Sequence, residues 1–499
     1  MVEMILNGFS NMFGFQSILW MIFGVFWGTI GSSMPGISAS VAMALLLPLT
    51  WSMEVSTALG TLAGVWAGSA YGGGIPAILI NTPGSPGAAA TVMDGYVLHQ
   101  QGKSGKALGV SLFCGTIGGI ISVFCILLVV PLSKITLAFG AAEYFGVAIF
   151  GLTILSSLSG DNMLKGLISG LFGLLLAATG ADVFSGTVRF SMGRSEMVEG
   201  FNLIPVMIGL FAVAEMLRQA AYSARWQEIT TKVFSTTMPT LKELASVARA
   251  TIIGTIVGII VGVMPGAGQT VSAFVAYSEA KRWSKHPEMF GKGSLEGVAA
   301  PETANNAVQG GDMVPALALG IPGSNSAAVM MAALMLHGLT PGPMLFEKNA
   351  QVVFDLFAGM IMVNFMMVPI GYCVVRMYMK IIAVSSPLLI AGVLTLVTVG
   401  TFSARSSVFD VGVAFLFGVI GFGLNIMGFS PPSVVLGLVL GRILETAFRR
   451  ALILSDGSWM TFIERPISAI FIVLSILVLF YPFIISWWKK RKAEVAEST

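Results

Sequence analysis

Apolar runs that begin again almost as soon as they end are the strongest constraint on this sequence. From Phe15 to Ser33, Leu108 to Leu132, Val352 to Val375, Val408 to Met427 and Ile467 to Trp488 the chain is nearly uncharged over helix length. About 20 apolar residues suffice to cross a bilayer as a helix. Shorter runs such as Ser40 to Thr50, Tyr144 to Leu158, Leu164 to Thr179, Thr251 to Met264 and Val271 to Tyr277 lie between them. Only 10% of residues are charged, 55% are hydrophobic, and mean hydropathy is +0.87. An ordinary soluble domain carries about 25% charge, so a soluble enzyme is excluded. The expected fold is all-α: a polytopic membrane protein with about 10–12 transmembrane helices, some of them broken.

The runs repeat. Met34-Pro35-Gly36-Ile37-Ser38 matches Met264-Pro265-Gly266-Ala267-Gly268, and the stretch from Gly72 matches the stretch from Gly311 with eight identities in about eighteen positions. That is too many for shared Gly and Ala richness, so the chain is a duplicated unit. Residues 1–217 form the first repeat, 218–249 an interfacial linker, 250–488 the second repeat and 489–499 a basic tail. Between its two blocks the second half inserts Lys281-Arg282-Trp283-Ser284-Lys285-His286, whereas the first has no Lys or Arg around Trp51 to Ser56. After the second block the bias reverses, with His99, Lys103 and Lys106 in the first half against Lys348 and Glu347 in the second. If basic loops face the cytoplasm, the two repeats have inverted topology. By the same rule Lys489, Lys490, Arg491 and Lys492, after Trp487 and Trp488, place the C-terminus in the cytoplasm. Met1 to Trp20 carries Glu3 and no basic residue, so it is expected to be kept as mature structure.

Each repeat interrupts its apolar segments at Pro-Gly pairs: Pro35-Gly36, Pro83-Gly84, Pro265-Gly266 and Pro322-Gly323. Irregular backbone at membrane depth is stable only where protein or a water-filled cavity satisfies it. Broken helices there present N-termini that attract anions and C-termini that attract cations. Beside the breaks stand Ser38, Ser40, Asn81, Thr82, Ser85, Gln269, Thr270, Ser324, Asn325 and Ser326. These short neutral groups suit a carboxylate that must be held and released. They suit Na⁺ as well, and they equally suit plain helix capping. Pro-Gly pairs can also simply kink packed helices.

Ahead of the second block lies Pro301-Glu302-Thr303-Ala304-Asn305-Asn306, with Asp312 ten residues beyond Glu302. An ionised acid at the bilayer centre costs about 2.5–3.5 kcal/mol on insertion scales. Glu302, Asn305, Asn306 and Asp312 are therefore cation or proton candidates, together with Pro35, Gly36, Pro265 and Gly266 through their carbonyls; at the membrane surface the acids would need no such role. Gly254, Gly258 and Gly262, Gly166 with Gly170, and Gly437 with Gly441 are spaced for close helix packing.

Catalysis finds little support. Gly102-Lys103-Ser104 has Val97 where a phosphate-binding loop needs Gly, and neither His-Glu-x-x-His nor Gly-x-Ser-x-Gly occurs. His99, His286 and His337 are isolated, while Cys114, Cys125 and Cys373 lie in apolar runs. No enzyme, metal site, disulfide framework or cofactor is expected. A net charge of +3 gives no reason to expect nucleic-acid binding.

The run Tyr71 to Gly95, with Asn81-Thr82-Pro83-Gly84-Ser85-Pro86-Gly87, and its counterpart Gly262 to Gly338 resemble the large membrane subunit of tripartite tricarboxylate transporters, the TctA family. The blocks Ala300 to Ala307 and Gly320 to Ser324 are the most specific to it. The resemblance implies a bacterial inner-membrane secondary transporter for carboxylates, driven by a Na⁺ or H⁺ gradient. It also implies a small membrane subunit and a periplasmic solute-binding protein as partners. From the residues alone, an ion or anion channel with Pro-Gly filters and a passive assembly subunit stay open as alternatives.

Overall fold

The computed structural model describes residues 1–34, 37–136, 139–158, 163–182, 184–222, 237–264, 268–381 and 386–479. The chain opens with amphipathic α1 (Val2–Met12), apolar α2 (Phe15–Ser33), α3 (Ala39–Thr50), α4 (Val55–Gly72) and α5 (Gly74–Ile80). A 3-10 turn at Pro86–Ala88 leads to α6 (Val92–Gln100), α7 (Ser104–Val123) and α8 (Val129–Thr136). Then come α9 (Ala141–Leu158), α10 (Met163–Ala177) and a small antiparallel hairpin, β1 (Gly180–Ala181) with β2 (Val188–Arg189). α11 (Leu203–Ile208) continues through a π turn at Gly209–Val213 into α12 (Ala214–Tyr222).

After the linker, α13 (Leu241–Ser246) begins with a capping box in which Thr240 and Glu243 satisfy each other's backbone N–H groups. It is followed by α14 (Ala248–Val263), α15 (Gly268–Trp283), α16 (Leu295–Leu319) and α17 (Asn325–Leu336). α18 (Pro343–Ile381) bends at Asn349, and α19 (Ser386–Arg405), α20 (Val408–Ile426), α21 (Pro431–Leu454), α22 (Thr461–Glu464) and an apolar helix at Pro466–Leu479 are the last of the described elements. Among the described residues, seven helices are long and apolar enough to cross a membrane, and shorter apolar helices accompany them. This is an all-α polytopic membrane architecture.

Two compact units emerge: Met1–Leu137 with Ile204–Gly423, and Ala138–Leu203 with Leu424–Thr499. The first is built around α4 and α16, every residue of which is buried from Ser56 to Gly72 and from Gly297 to Ala318. Protein rather than lipid surrounds both, which is why their Gly-, Ser- and Asn-rich sequences are tolerated. Glycine makes the packing possible. A Cβ on Gly24 or Gly28 of α2 would lie 2.3 or 2.1 Å from the carbonyl oxygens of Thr61 and Val65 in α4. On α14, Gly254 and Gly258 press in the same manner on the carbonyls of Ala300 and Ala304 in α16, at 2.5 and 2.8 Å. Such close backbone approach is how small residues hold helices together where lipid offers no hydrophobic gain.

In the second unit α21 packs on α9 and α10. A Cβ on Gly437 would lie 2.2 Å from the Gly170 carbonyl oxygen, and Phe145, Phe448 and Phe462 cluster their rings. From the β1–β2 hairpin Arg189 forks onto Glu445 of α21 at 2.8 and 3.0 Å, and Arg449 of α21 hydrogen-bonds Asp182. Backbone N–H groups of Ser185 and Phe184, with Arg449, hold the Asp182 carboxyl well below the usual carboxylate range.

Candidate functional site

The two Pro-Gly tips share one local geometry. α5 ends at Asn81 in the left-handed region (φ 57°), and the Thr82 N–H returns to the Pro76 carbonyl at 3.4 Å. α16 ends at Gly320 (φ 72°), and the Ile321 N–H returns to the Pro315 carbonyl at 3.3 Å. This is the helix-ending cap that Gly and Asn adopt most readily. The next glycines are fixed by crowding. A Cβ on Gly84 would meet the Ser32 carbonyl at 2.0 Å and Gly73 Cα at 3.0 Å; one on Gly323 would meet the Gly262 carbonyl at 2.8 Å and Asp312 Cα at 3.0 Å. Ser32 and Gly262, like Gly73 and Asp312, occupy matching places in the two repeated blocks. α2 and α14 also end alike, the Met34 N–H bonding Gly31 and the Met264 N–H bonding Val261, each at 3.1 Å. Pro35, Gly36, Pro265 and Gly266 lie outside the described residues, as do Trp487, Trp488 and the basic tail.

The first tip reaches into the second half. The turn Pro86–Ala88 packs on α15 and α16, where a Cβ on Gly87 would sit 2.4 Å from Asn305 Oδ1 and 3.0 Å from Gln269 Cβ. Asn305 is fully buried and donates through Nδ2 to the Ala70 carbonyl at 3.0 Å; among the described residues its Oδ1 has no partner, and neither does the buried Gln269 Nε2. Ser324 comes near the same place, its Cβ 3.9 Å from where one on Gly268 would stand. Reciprocally, α17 of the second tip packs on α3 of the first half.

The remaining expected residues divide. Ser38 and Ser324 are N-caps, accepting the N–H groups of Val41 at 3.4 Å and Ala327 at 3.2 Å, and Ser40 bonds Ser38 at 3.0 Å. Ser85 and Ser326 are buried; Thr270 is half-buried; Asn81, Thr82 and Asn325 are exposed, with Pro83 between exposure and burial and Pro322 buried. Glu302 and Asp312 are both fully buried in protein. Glu302 accepts the hydroxyls of Thr91 at 2.5 Å and Ser111 at 2.8 Å. Both oxygens of Asp312 lack a hydrogen-bond partner among the described residues. Asn306 turns its Nδ2 back onto the Glu302 carbonyl at 3.0 Å.

Sequence reasoning missed Thr91 and Ser111, the donors to Glu302, and two further buried acids. Asp94 on α6 accepts the N–H groups of Gly291, Gly293 and Ser294 at 2.7–2.9 Å and the Tyr277 hydroxyl at 2.9 Å. The legible signal was Gly291-x-Gly293-Ser294, a run of exposed N–H groups able to cradle an anion. Asp355 binds Asn11, Ser56 and Gln351, tying α1, α4 and α18 together; only the Gln351 pair, four residues away on one helix, could be read in advance. Among the described residues no group of His, Cys, Asp and Glu is arranged to hold a metal ion.

Buried broken spans and unpaired polar groups set in an apolar helical bundle define a polytopic membrane protein built around an internal polar centre. The chain belongs to the tripartite tricarboxylate transporter TctA family, whose model matches residues 18–436. It is similar to an Agrobacterium vitis protein described as an uncharacterized 52.8 kDa protein in the TAR-I ttuC' 3' region, at 34% identity over 473 residues and 94% of each chain. A second Agrobacterium vitis protein, described as uncharacterized and in the TAR-II ttuC' 3' region, is 33% identical over 227 residues, covering 46% of this chain and 94% of its own. No solved structure matches.

Proposed function

We propose that this chain is the large membrane subunit of a secondary transporter that takes up a citrate-like di- or tricarboxylate with a Na⁺ or H⁺ gradient. In this reading it sits in the bacterial inner membrane with its C-terminus in the cytoplasm. A periplasmic binding protein delivers the substrate, and a small membrane subunit completes the assembly. The observation that carries the reading is the seat of Gly87 against Gln269 and Asn305. There a tip of one half closes on the first turn of a broken helix of the other. An unpaired amide donor at a helix N-terminus offers a carboxylate hydrogen bonds and a favourable dipole without a fixed positive charge. Neutral recognition of that kind permits release.

Residues 1–217 and 250–488 act as inverted repeats joined by the linker 218–249, so each tip opens toward one side of the membrane. Reciprocal contacts support this. Gln101, after the first tip, donates to the Lys292 carbonyl at 2.9 Å, while His337, after the second tip, approaches the Thr50 backbone. Each contact pairs a loop that follows a tip with a loop that precedes the other half's tip, as a two-fold exchange of halves requires. It also gathers Lys103, Lys106, Lys285 and Lys292 around one loop pair, as expected if that pair is cytoplasmic.

The test is uptake of radiolabelled citrate into vesicles holding the full assembly, with Gln269→Ala and Asn305→Ala compared at matched membrane abundance. Loss of a hydrogen bond to a charged ligand is worth about 1.5–3 kcal/mol, so apparent affinity should fall on the order of tenfold or more. Unchanged uptake in both variants would remove this junction from the substrate path.

A further inference from the structure

We infer that Asp312, the Gly262 carbonyl and the Ser324 hydroxyl form the seat of the coupling Na⁺, and that the first repeat has no counterpart to it. The inference deepens the transport reading above and rests on it for the word coupling.

Asp312 lies on a helix enclosed by protein, is fully buried, and has no hydrogen-bond donor on either carboxylate oxygen among the described residues. Neither Lys, Arg nor His forms an ion pair with it there. Ser324 faces it: its hydroxyl oxygen accepts the Ala327 N–H, and its own proton stays free to turn toward the carboxylate when no cation is bound. Gly262 belongs to the last turn of α14, whose carbonyls run out of intrahelical donors. Asp312 Oδ1 and Gly262 O both fall within 2.8 Å of the point a Cβ on Gly323 would take. A carboxylate and a carbonyl oxygen therefore converge, and among the described residues the Ser324 hydroxyl is the one donor beside them. A carboxylate, a carbonyl and a hydroxyl at the negative end of a broken helix are what a small hard cation requires.

Glu302, the other fully buried acid in this helix, is not equivalent, because two hydroxyls already donate to it. It is held by its neighbours. Nor does the first repeat reproduce the seat. Gly73 stands at the place of Asp312 and the Ser32 carbonyl at that of Gly262, while Ser85 Oγ lies 2.3 Å from where a Gly73 Cβ would be. A serine hydroxyl fills the volume that the Asp312 side chain occupies in the other half. Among the described residues the seat occurs in the second repeat alone. It lies at the end of α14 while the carboxylate junction lies at the start of α15, so both ligands act on the same break.

The experiment measures thermal unfolding of the purified full-length chain in detergent as Na⁺ replaces choline at constant ionic strength, for wild type, Asp312→Asn, Glu302→Gln and Ser324→Ala. Wild type and E302Q should show a saturable rise in melting temperature. D312N should show none while keeping the wild-type melting temperature in choline, and S324A should need on the order of tenfold more Na⁺. If D312N does not fold, the S324A shift decides. A Na⁺ response retained in D312N, lost only in E302Q, or unchanged in S324A would overturn the inference, as would a wild-type protein that responds to pH and not to Na⁺. Citrate uptake is scored separately: uptake without a Na⁺ response rejects this seat alone, and a Na⁺ response lost in D312N without citrate uptake rejects the carboxylate reading alone.

Discussion

The Tyr277 hydroxyl lies 2.9 Å from the Asp94 carboxylate and donates to it, joining α15 of the second half to α6 of the first. With the three N–H groups of Gly291, Gly293 and Ser294 on its other oxygen, Asp94 is the acceptor that fastens the first tip's hairpin to the start of α16. Asp94→Ala strands two buried donors, the Tyr277 hydroxyl and the Ser294 N–H, and two part-buried ones; at about 1–3 kcal/mol for each buried donor, a loss of at least about 2 kcal/mol is expected. Tyr277→Phe removes one bond and should cost about 1 kcal/mol. Asp94→Asn, which keeps an acceptor oxygen, should fall between them. Apparent melting temperature in detergent ranks the three.

The glycine contacts predict where a methyl group cannot go. Gly28→Ala would bring a Cβ to 2.1 Å from the Val65 carbonyl and Gly258→Ala to 2.8 Å from that of Ala304, forcing each helix pair apart. Overpacking of this kind costs about 1–3 kcal/mol. Gly392→Ala and Gly412→Ala meet nothing within 4 Å and should leave abundance unchanged. Expression-level fluorescence of the four variants separates the two classes.

Acid should loosen the linker. Lys106, 2.5 Å away, and the capping box at Thr240 hold the Glu243 carboxyl down at about 2, against an ordinary 4.5. A lowered native pKa means stabilisation that is complete above about pH 4.5 and lost as pH falls toward about 2. Limited proteolysis between α12 and α14 should therefore accelerate across that window. Glu243→Gln should cleave faster at neutral pH and show a flatter acid response.

How much of this was legible in the sequence depends on what surrounds each segment. The helix breaks beside Pro83 and Pro322 followed from residues alone, because Pro-Gly pairs leave marks in one dimension. α4 and α16 did not stand out as apolar runs. Their neighbours are other helices, so small and polar residues serve where lipid would demand Leu and Ile; hydropathy passes over α16 and picks out α4 only weakly. Glu302 and Asp312 could be picked out as unusual acids, but Thr91, Ser111 and Gly262 come to them from helices far off in sequence. Ser38 and Ser324 show both readings of a serine beside a break: each caps its helix and each still has a hydroxyl proton to give.

The inverted relation of the two halves is the claim on which the transport account turns, and Trp51 and Trp283 test it. Each closes the helix that follows its half's first break, and each is more than half exposed, at 51% and 54%. With Cys114, Cys125 and Cys373 replaced by Ala or Ser, Trp51→Cys and Trp283→Cys are to be labelled with a membrane-impermeant maleimide in whole cells and in inside-out vesicles. Labelling of Trp51→Cys in cells only and of Trp283→Cys in vesicles only is the expected result. Both positions labelled from the same side would contradict the account.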